Sequence, residues 1–240
     1  MTPPSGEMTF FSHLEELRWR IVKIALALVA AAIPCGILWK KIFDIVMIYP
    51  LRLTNPRPHL IFTTPIESVM VSFKIALGGG VVFASPLIFY QIWKFISPGL
   101  FPKEKRIVLP TVIASTVFFF AGIVFCYAVL PFLFRVLTAY GGQRIDPYFK
   151  VGDYFAFILK LSLAFGLVFE LPVVSFVLTR VGVITPRFLI RHARIAIVII
   201  FVIAAILTPP DIFSQIVMAV PLLFLYGLSI LVAYAAARKQ

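Results

Sequence analysis

The stretch that decides the fold is Ile107–Phe134, IVLPTVIASTVFFFAGIVFCYAVLPFLF, an apolar run without one charged side chain. It is longer than the 18 or so residues that an α-helix needs to cross about 30 Å of hydrocarbon. Five more apolar runs lie on either side of it, at about residues 21–38, 67–92, 154–178, 195–207 and 212–234. The pattern predicts an all-α integral membrane protein, in which residues 1–240 form one polytopic domain with six transmembrane helices.

The composition agrees with this fold class. Hydrophobic residues make up 61% of the 240 residues and charged residues only 13%, which is far more apolar than an ordinary soluble domain. A formal net charge of +12 would suggest nucleic-acid binding in a soluble chain. Here the basic residues lie between apolar runs, where they orient a protein in the bilayer. We therefore expect contact with the lipid bilayer and none with nucleic acid.

The positive charges also predict the orientation. If the N-terminus is inside, the inner segments contain Arg18, Arg20, Lys23, Lys94, Lys103, Lys105, Arg106, Arg180, Arg187, Arg191, Arg194, Arg238 and Lys239. The outer loops then contain only Lys40, Lys41, Arg52, Arg57, Arg135, Arg144 and Lys150. The positive-inside rule therefore places both termini in the cytoplasm. We expect the first run to stay as a helix, not to be cleaved as a signal peptide, because acidic residues precede it and five more runs follow.

The spans should be bent and the last two short. The fifth run holds about 13 residues, or about 20 Å of helix, before Thr208-Pro209-Pro210 stops it. Prolines interrupt the spans at Pro34, Pro86, Pro110, Pro131, Pro172 and Pro221. Each proline removes a backbone donor and tends to kink its helix, so we expect a curved bundle with concave surfaces. The Gly78-Gly79-Gly80 run inside the second span favours close helix packing or a bend.

Enzyme chemistry is not indicated. The sequence contains no G-x-x-x-x-G-K-[ST] phosphate loop, no H-E-x-x-H metal motif and no G-x-S-x-G nucleophile elbow. None of its three histidines falls inside an apolar run, and Cys35 and Cys126 lie where cysteine usually acts as a small buried hydrophobe. We therefore expect no catalytic residues, no metal and no cofactor.

Glu170 is the most unusual charge in an apolar run. It lies about 15 Å along a helix from Arg180, at a depth where an acid usually faces a partner or a cavity. A structural alternative is a protonated Glu170 bonded to a backbone carbonyl that Pro172 leaves free. A functional alternative is an ion-coupled small-solute transporter with Glu170 as its proton site. The inverted repeat typical of such carriers is not evident in the sequence.

Other polar residues have simpler interpretations. Lys74 and Lys160 are expected to extend their ammonium groups to the interface. Glu67 opens the second span at its outer end, where a carboxylate complements the helix dipole. Asp211 is expected to cap the sixth span through the Ser214 amide. Gln215, one turn further along, requires a hydrogen-bond partner from another helix.

Two cytoplasmic carboxylates form a candidate site. Ser12-x-x-Glu15 fits a capping box, which gives Glu15 a structural role. Glu16 points about 100° away around the helix, and its structural alternative is a pair with Arg20. Glu104 lies in the proline-containing loop of residues 97–106. Together Glu16 and Glu104 suit a ligand with two positive groups, and carboxylates favour the planar guanidinium of arginine over the ammonium of lysine.

Four separated motifs resemble those of the TatC family, a subunit of the twin-arginine protein translocase. They are His13-Leu14-x-Glu16-Leu17-Arg18-x-Arg20, Pro98-x-Leu100 to Glu104-x-Arg106, Phe169-Glu170-x-Pro172-Val173 and Thr208-Pro209-Pro210-Asp211-x-x-Ser214-Gln215. The resemblance covers nearly the whole chain, in order. It implies a glove-like bundle in a bacterial, archaeal or plastid-type cytoplasmic membrane.

The resemblance also implies a function. The protein would bind the twin-arginine signal peptides of folded precursors and work with TatA-like and TatB-like single-span proteins, as a homo-oligomer driven by proton-motive force. Glu16 and Glu104 would receive the arginines, and Arg18, Pro98 and Leu100 would shape that site. Glu170 would lie in a groove entered by the signal peptide or a partner helix. Gln215 and Asp211 would contact a partner helix, and Glu67 would mark an outer helix start.

Overall fold

The structure is a computed structural model that describes residues 10–54, 58–96, 107–139, 147–208 and 211–237. Its elements are α1 (Phe10–Ile37), α2 (Trp39–Phe43), a π-helix (Asp44–Ile48), α3 (Tyr49–Arg52), β1 (His59–Ile61), α4 (Glu67–Ile96), α5 (Val108–Ala139), β2 (Tyr148–Lys150), α6 (Val151–Phe169), α7 (Leu171–Arg180), α8 (Pro186–Arg191), α9 (Ala193–Leu207) and α10 (Ile212–Ala237). Five segments are long and apolar enough to cross a membrane, and α9 is a shorter apolar helix. The predicted all-α membrane fold with six transmembrane segments is confirmed.

The six segments cross in alternating directions, which defines two faces. We call the side at which α1 begins the N-terminal face, and α4 ends there as well. Their proximity is seen in a hydrogen bond from Arg20 of α1 to the carbonyl of Lys94, near the end of α4. At the opposite face β1 and β2 form a two-stranded parallel sheet, with His59 opposite Tyr148.

Glycines bring the helices into close contact. A Cβ atom at Gly80 would lie 3.0 Å from the Cβ of Ala32 in α1, and one at Gly79 would lie 2.9 Å from the sulfur of Cys35. A Cβ at Gly122 of α5 would lie 2.6 Å from the backbone oxygen of Phe165 in α6. The predicted role of glycines 78–80 in close packing is therefore confirmed, and Gly122 provides a second close crossing.

A small helical layer covers the opposite face between α1 and α4. It consists of α2, the π-helix and α3, a segment that the sequence suggested was a loop. The Tyr127 hydroxyl of α5 donates to the carbonyl of Ile45, and the Tyr154 hydroxyl of α6 donates to the carbonyl of Met47 at 3.1 Å. Met47 is fully buried. These contacts fix the π-helix to the bundle.

Several predicted helix bounds are wrong. The first helix begins by Phe10, before the Ser12 cap expected from the sequence and well before the start of the apolar run near residue 21, because the charged residues before the run are themselves helical. The last two spans were both expected to be short. The fifth span, α9, is short with 15 residues, whereas the sixth, α10, has 26 residues and is about 39 Å long. Its apolar sequence continues through Pro221, which lies inside the helix and does not end it.

The prolines fall into two groups. Pro34, Pro86, Pro131 and Pro221 lie inside helices, where each removes one backbone donor. Pro110 and Pro172 instead lie in the first turns of α5 and α7, where the missing donor has no cost. The predicted interruption at Pro110 is therefore wrong. The fourth span is divided at Glu170, between the end of α6 and the start of α7.

Candidate functional site

The Glu16 carboxylate lies in the first helix, at the N-terminal face. Its Oε1 accepts a hydrogen bond of 3.0 Å from Nε of Arg20 and a second bond from Nη2 of the same side chain. The pairing with Arg20, which the sequence offered as an alternative for Glu16, is therefore present. The pair alone does not use the whole carboxylate, because both bonds end on one oxygen.

Arg20 itself is fixed between two helices. Its Nη1 donates to the side-chain oxygen of Gln91 at 3.1 Å, and its Nη2 donates to the carbonyl of Lys94 at 3.3 Å. Both acceptors belong to α4, and Arg20 is only 9% exposed. The guanidinium group therefore joins Glu16 to the C-terminal end of α4.

The second oxygen of Glu16 is the unusual feature of this cluster. Oε2 is shielded from solvent and has no hydrogen-bond partner among the described residues. Nδ1 of His13 lies 3.9 Å away, beyond hydrogen-bond distance, and the His13 ring stacks on Phe95. A cavity of about 450 Å³ adjoins the cluster and is lined by Glu16, Trp19, Arg20, Lys23, Tyr90, Gln91 and Lys94. The Glu16 side chain therefore lines a cavity, and one oxygen of its carboxylate is left without a donor, a feature that is rare for a buried polar atom and is suited to a ligand that brings a donor.

The other predicted members of this site are placed only in part. Arg18 is exposed on α1, next to Trp19 in the sequence, and is not itself among the residues that line the cavity. Pro98, Leu100 and Glu104 lie in residues 97–106, outside the described residues. The chain leaves α4 for that segment at Ile96, two residues after the Lys94 carbonyl that binds Arg20.

The predicted capping box is wrong. Ser12 is inside α1 and cannot be its N-cap, because the helix already includes Phe10. Glu15 is exposed on the helix surface. The two adjacent glutamates have different environments, as the sequence suggested. Glu16 is bound by Arg20, whereas Glu15 is exposed at the surface and does not form the expected capping box.

Glu170 lies at the break between α6 and α7 and is buried. Its carboxyl group interacts with the hydroxyl of Ser115 in α5, which in turn accepts a hydrogen bond of 2.9 Å from the indole of Trp93 in α4. Oε1 of Glu170 has no hydrogen-bond partner within the described part of the chain. The structural alternative, a bond to a carbonyl left free by Pro172, is not observed.

Two apolar cavities are lined by close sequence neighbours of Glu170, although Glu170 itself is in the lining of neither. One, of about 460 Å³, lies between α5, α7 and α10 and is lined by residues that include Thr111, Phe118, Pro172 and Val232. The other, of about 560 Å³, is lined by residues that include Phe118, Phe169, Pro221 and Phe224. Phe169 and Pro172 lie on either side of Glu170 in the sequence, so the acid is near the junction of the two cavities.

The residues around the start of α10 fit their predicted local roles. The Asp211 Oδ1 accepts a bond of 2.7 Å from the Ser214 amide, as expected for a helix cap, whereas Oδ2 is buried without a partner among the described residues. Gln215 donates from its amide to the carbonyl of Phe201 in α9, at 3.1 Å. The helix that satisfies the Gln215 donor is therefore one of this chain.

Glu67 and Lys160 have contacts that the sequence did not indicate. Glu67 accepts bonds from the Thr63 amide and hydroxyl and from the Gly152 amide, so it joins the start of α4 to the start of α6. Lys160 donates to the carbonyl of Ile206 at 2.7 Å. Its exposed ammonium group therefore has a backbone acceptor at the end of α9, and extension of Lys160 to the membrane interface stays a prediction.

Sequence reasoning missed Gln91, Ser115 and Trp93. A polar side chain inside an apolar run was the available signal for Ser115 and Gln91. The partner of Gln91 is 71 residues away in the sequence and the partner of Ser115 is 22 residues away, and helix periodicity does not predict contacts over such distances. Among the described residues, no group of three or more His, Cys, Asp or Glu side chains could hold a metal ion.

Comparison with known proteins agrees with this architecture. A family model described as "Sec-independent protein translocase protein (TatC)" matches residues 12–221. The TatC protein of Helicobacter pylori strain J99 is 41% identical over 92% of this chain and 87% of its own length, and that of Aquifex aeolicus is 40% identical over 97% and 98%. A crystal structure of "Twin Arginine Translocase Receptor- TatC" superposes with a TM-score of 0.84 at 39% identity, over 94% of this chain and all of that chain.

Proposed function

Because this chain belongs to the TatC family of Sec-independent protein translocase proteins, we propose that it is the twin-arginine signal-peptide receptor of its translocase. The family establishes protein translocation by a multi-pass membrane protein and is not a catalytic family. It favours protein translocation over a small-solute carrier. One observation supports the receptor role: the Glu16 side chain lines the cavity at the N-terminal face, and its Oε2 has no donor among the described residues.

Glu16 provides a carboxylate that can bind the guanidinium group of an arginine. Its free Oε2 accepts a hydrogen bond from a guanidinium group of the signal peptide, which enters the cavity beside Trp19 and Tyr90. A hydrogen bond to a charged group contributes about 1.5–3 kcal/mol when it is partly shielded, which is a factor of roughly 10–150 in affinity. An exposed pair would contribute far less, so the burial of Oε2 is what makes the interaction strong enough for recognition.

Glu104 receives the second arginine. It follows α4 in the sequence, and α4 places its Lys94 carbonyl, two residues before its end at Ile96, on the guanidinium group of Arg20. Arg18, Pro98 and Leu100 shape the site from α1 and from the same segment. Two carboxylates at one membrane face match the two adjacent positive groups of the peptide and discriminate against lysine, whose ammonium cannot form parallel bonds.

The apolar part of the signal peptide or a partner helix lies along the cavities near Glu170. These cavities are lined almost entirely by apolar side chains, and the Glu170 oxygen provides a polar point between them. TatA-like and TatB-like single-span partners contact Glu170 and the surface around Asp211 and Gln215. Several copies form the receptor complex, both termini lie in the cytoplasm, and proton-motive force drives transport.

Photo-crosslinking in membranes tests this function. A photoreactive residue is placed at Trp19, which lines the cavity and is 58% exposed, and a labelled twin-arginine signal peptide is added. We expect strong crosslinks that fall about 10-fold or more in Glu16→Gln and Glu104→Ala, and also when the peptide carries Lys-Lys.

Glu15→Gln is the matched control. It removes the same charge from the adjacent residue, which is exposed, and we expect nearly unchanged crosslinking. Equal losses in Glu15→Gln and Glu16→Gln would show a general charge effect and contradict the site. Unchanged crosslinking in Glu16→Gln would contradict it as well.

A further inference from the structure

The two oxygens of Glu16 have different environments, and Arg20 is the reason. Oε1 accepts both of the bonds that Arg20 makes to this carboxylate, whereas Oε2 is buried without a partner among the described residues. A carboxylate can accept about four hydrogen bonds. One side chain has therefore oriented the group and left half of its capacity open.

The position of the Arg20 side chain is fixed by several hydrogen bonds. Three acceptors hold its guanidinium group: Glu16 on its own helix, and the Gln91 side chain and the Lys94 carbonyl on α4. If Arg20 moved away, these acceptors would lose their donor in a site that is largely shielded from water. The guanidinium is therefore a fixed part of the site.

We propose that Arg20 is a positioning residue for twin-arginine recognition, which holds Glu16 by one oxygen so that the other oxygen meets the incoming guanidinium group. This inference rests on the proposed function and deepens it. In the bound state, one carboxylate is shared by two guanidinium groups, Arg20 on Oε1 and an arginine of the peptide on Oε2. Gln91 acts one step further out, because it holds Arg20 and has no bond to Glu16 in the structure.

Positioning offsets a cost that Arg20 also creates. Its positive charge weakens the attraction of Glu16 for a second cation. However, a free glutamate side chain loses rotamer freedom when it binds a ligand, and this loss is already complete when Arg20 holds it. The shape of the guanidinium is essential, because its planar fork contacts Glu16 and α4 at once, which a lysine ammonium on a flexible stem does not reproduce.

The opposite role makes the opposite prediction. If Arg20 only competed with the signal peptide for Glu16, loosening Arg20 would make the receptor bind more tightly. If Arg20 positions Glu16, loosening it weakens binding and also lowers the preference for Arg-Arg over Lys-Lys. The selectivity ratio is the informative readout, because a general loss of folded protein would reduce binding of both peptides equally.

Equilibrium binding of labelled Arg-Arg and Lys-Lys signal peptides to the full chain in lipid nanodiscs tests the proposal. For Arg20→Lys, which keeps the charge, we expect Arg-Arg affinity to fall about 10-fold and the selectivity ratio to fall with it. For Gln91→Ala, we expect a smaller change in the same direction, about 3-fold. Arg20→Lys added to Glu16→Gln should cause no further loss, because the carboxylate that Arg20 positions is already absent.

Arg187→Lys is the matched control. Arg187 is exposed on α8 and is not among the residues that line the cavity, so it reports the effect of the same substitution away from Glu16. We expect it to leave the selectivity ratio unchanged. Monodispersity and thermal unfolding of each variant show whether it is folded, and Gln91→Ala decides the question if Arg20→Lys does not fold.

The outcomes distinguish the positioning role of Arg20 from the receptor function of the protein. If the wild-type protein prefers Arg-Arg and loses that preference in Glu16→Gln, but Arg20→Lys and Gln91→Ala bind as the wild type does or more tightly, the positioning role is overturned and the receptor function remains. If the wild-type protein shows no preference for Arg-Arg, the proposed function itself is wrong.

Discussion

At the scale of single residues, Glu170 combines burial with an unused acceptor. Ser115 and Trp93 form a polar chain that reaches one side of its carboxyl group, and Oε1 remains without a partner among the described residues. An unsatisfied buried polar group costs about 1–3 kcal/mol. Such a cost is typical of a functional site, since packing alone would favour an apolar residue at this position.

Glu170→Leu should therefore separate stability from function. We expect the thermal stability of the purified protein to stay the same or rise by up to about 2 kcal/mol, because the unsatisfied group is removed. Export of a folded twin-arginine precursor should be lost. Thermal unfolding in detergent and an export assay in cells check the two effects. A clear loss of stability would show that Glu170 is mainly structural.

At the scale of the helices, close crossings at glycine determine how the bundle packs. Gly122 of α5 faces the backbone of α6 at Phe165, and Gly166 of α6 faces the ring of Phe119 in α5. The two glycines let α5 and α6 approach each other from both sides. A ring can move, but a backbone oxygen inside a helix cannot move without displacing the helix.

Gly122→Ala should reduce stability by about 1–3 kcal/mol, because its Cβ would lie 2.6 Å from the Phe165 oxygen. Gly227→Ala in α10 is the matched control, since no atom lies within 4 Å of the Cβ there. Alanine favours the helix over glycine, so this control should be neutral or stabilising by up to about 1 kcal/mol. Thermal unfolding of the two variants should differ in sign, and similar effects would contradict the packing described for α5 and α6.

The short helix α9 depends on a contact from α6. With 15 residues it is about 22 Å long, which is shorter than the roughly 30 Å of hydrocarbon in a bilayer. Lys160 donates to the Ile206 carbonyl at the carboxyl end of α9, where a positive charge also complements the helix dipole. The Ile206 carbonyl lies in the last turn of α9, where no further turn of the helix supplies an amide donor. Lys160 supplies a donor instead.

Lys160→Met should lower stability by roughly 1 kcal/mol, or about 2–4 °C in Tm, since it removes this donor but keeps a long apolar stem. Lys74→Met is the control, because Lys74 is also an exposed lysine inside a span. We expect the control to have the same Tm as the wild type or a higher one. If both variants lost the same amount, the Ile206 contact would not be the cause.

At the scale of the whole molecule, the sequence predicts the membrane fold because each long span is apolar throughout. It does not predict that α1 already includes Phe10, or the sheet, whose strands of three residues pair across about 90 positions. The candidate carboxylate Glu16 is recognisable from its motif. Its bond to Arg20 is local and was foreseen as an alternative, whereas the contact of Arg20 with Gln91 depends on how α1 packs against α4.

The orientation of the bundle is tested by cysteine labelling. Phe11 at the N-terminal face is 80% exposed, and Phe62 at the opposite face is 54% exposed, whereas the native Cys35 and Cys126 are buried. A membrane-impermeant maleimide added outside intact cells should label Phe62→Cys and leave Phe11→Cys unlabelled until the membrane is opened. Labelling of Phe11→Cys from outside would reverse the orientation.

The central claim is that Glu16 reads an arginine of the signal peptide, and the most direct test is the ratio of two affinities. Arg-Arg and Lys-Lys peptides are titrated against the wild-type protein and Glu16→Gln in nanodiscs. We predict a preference for Arg-Arg of about 10-fold or more in the wild type, which falls close to one in Glu16→Gln. A wild-type ratio near one, or an equal preference in both proteins, would contradict the claim.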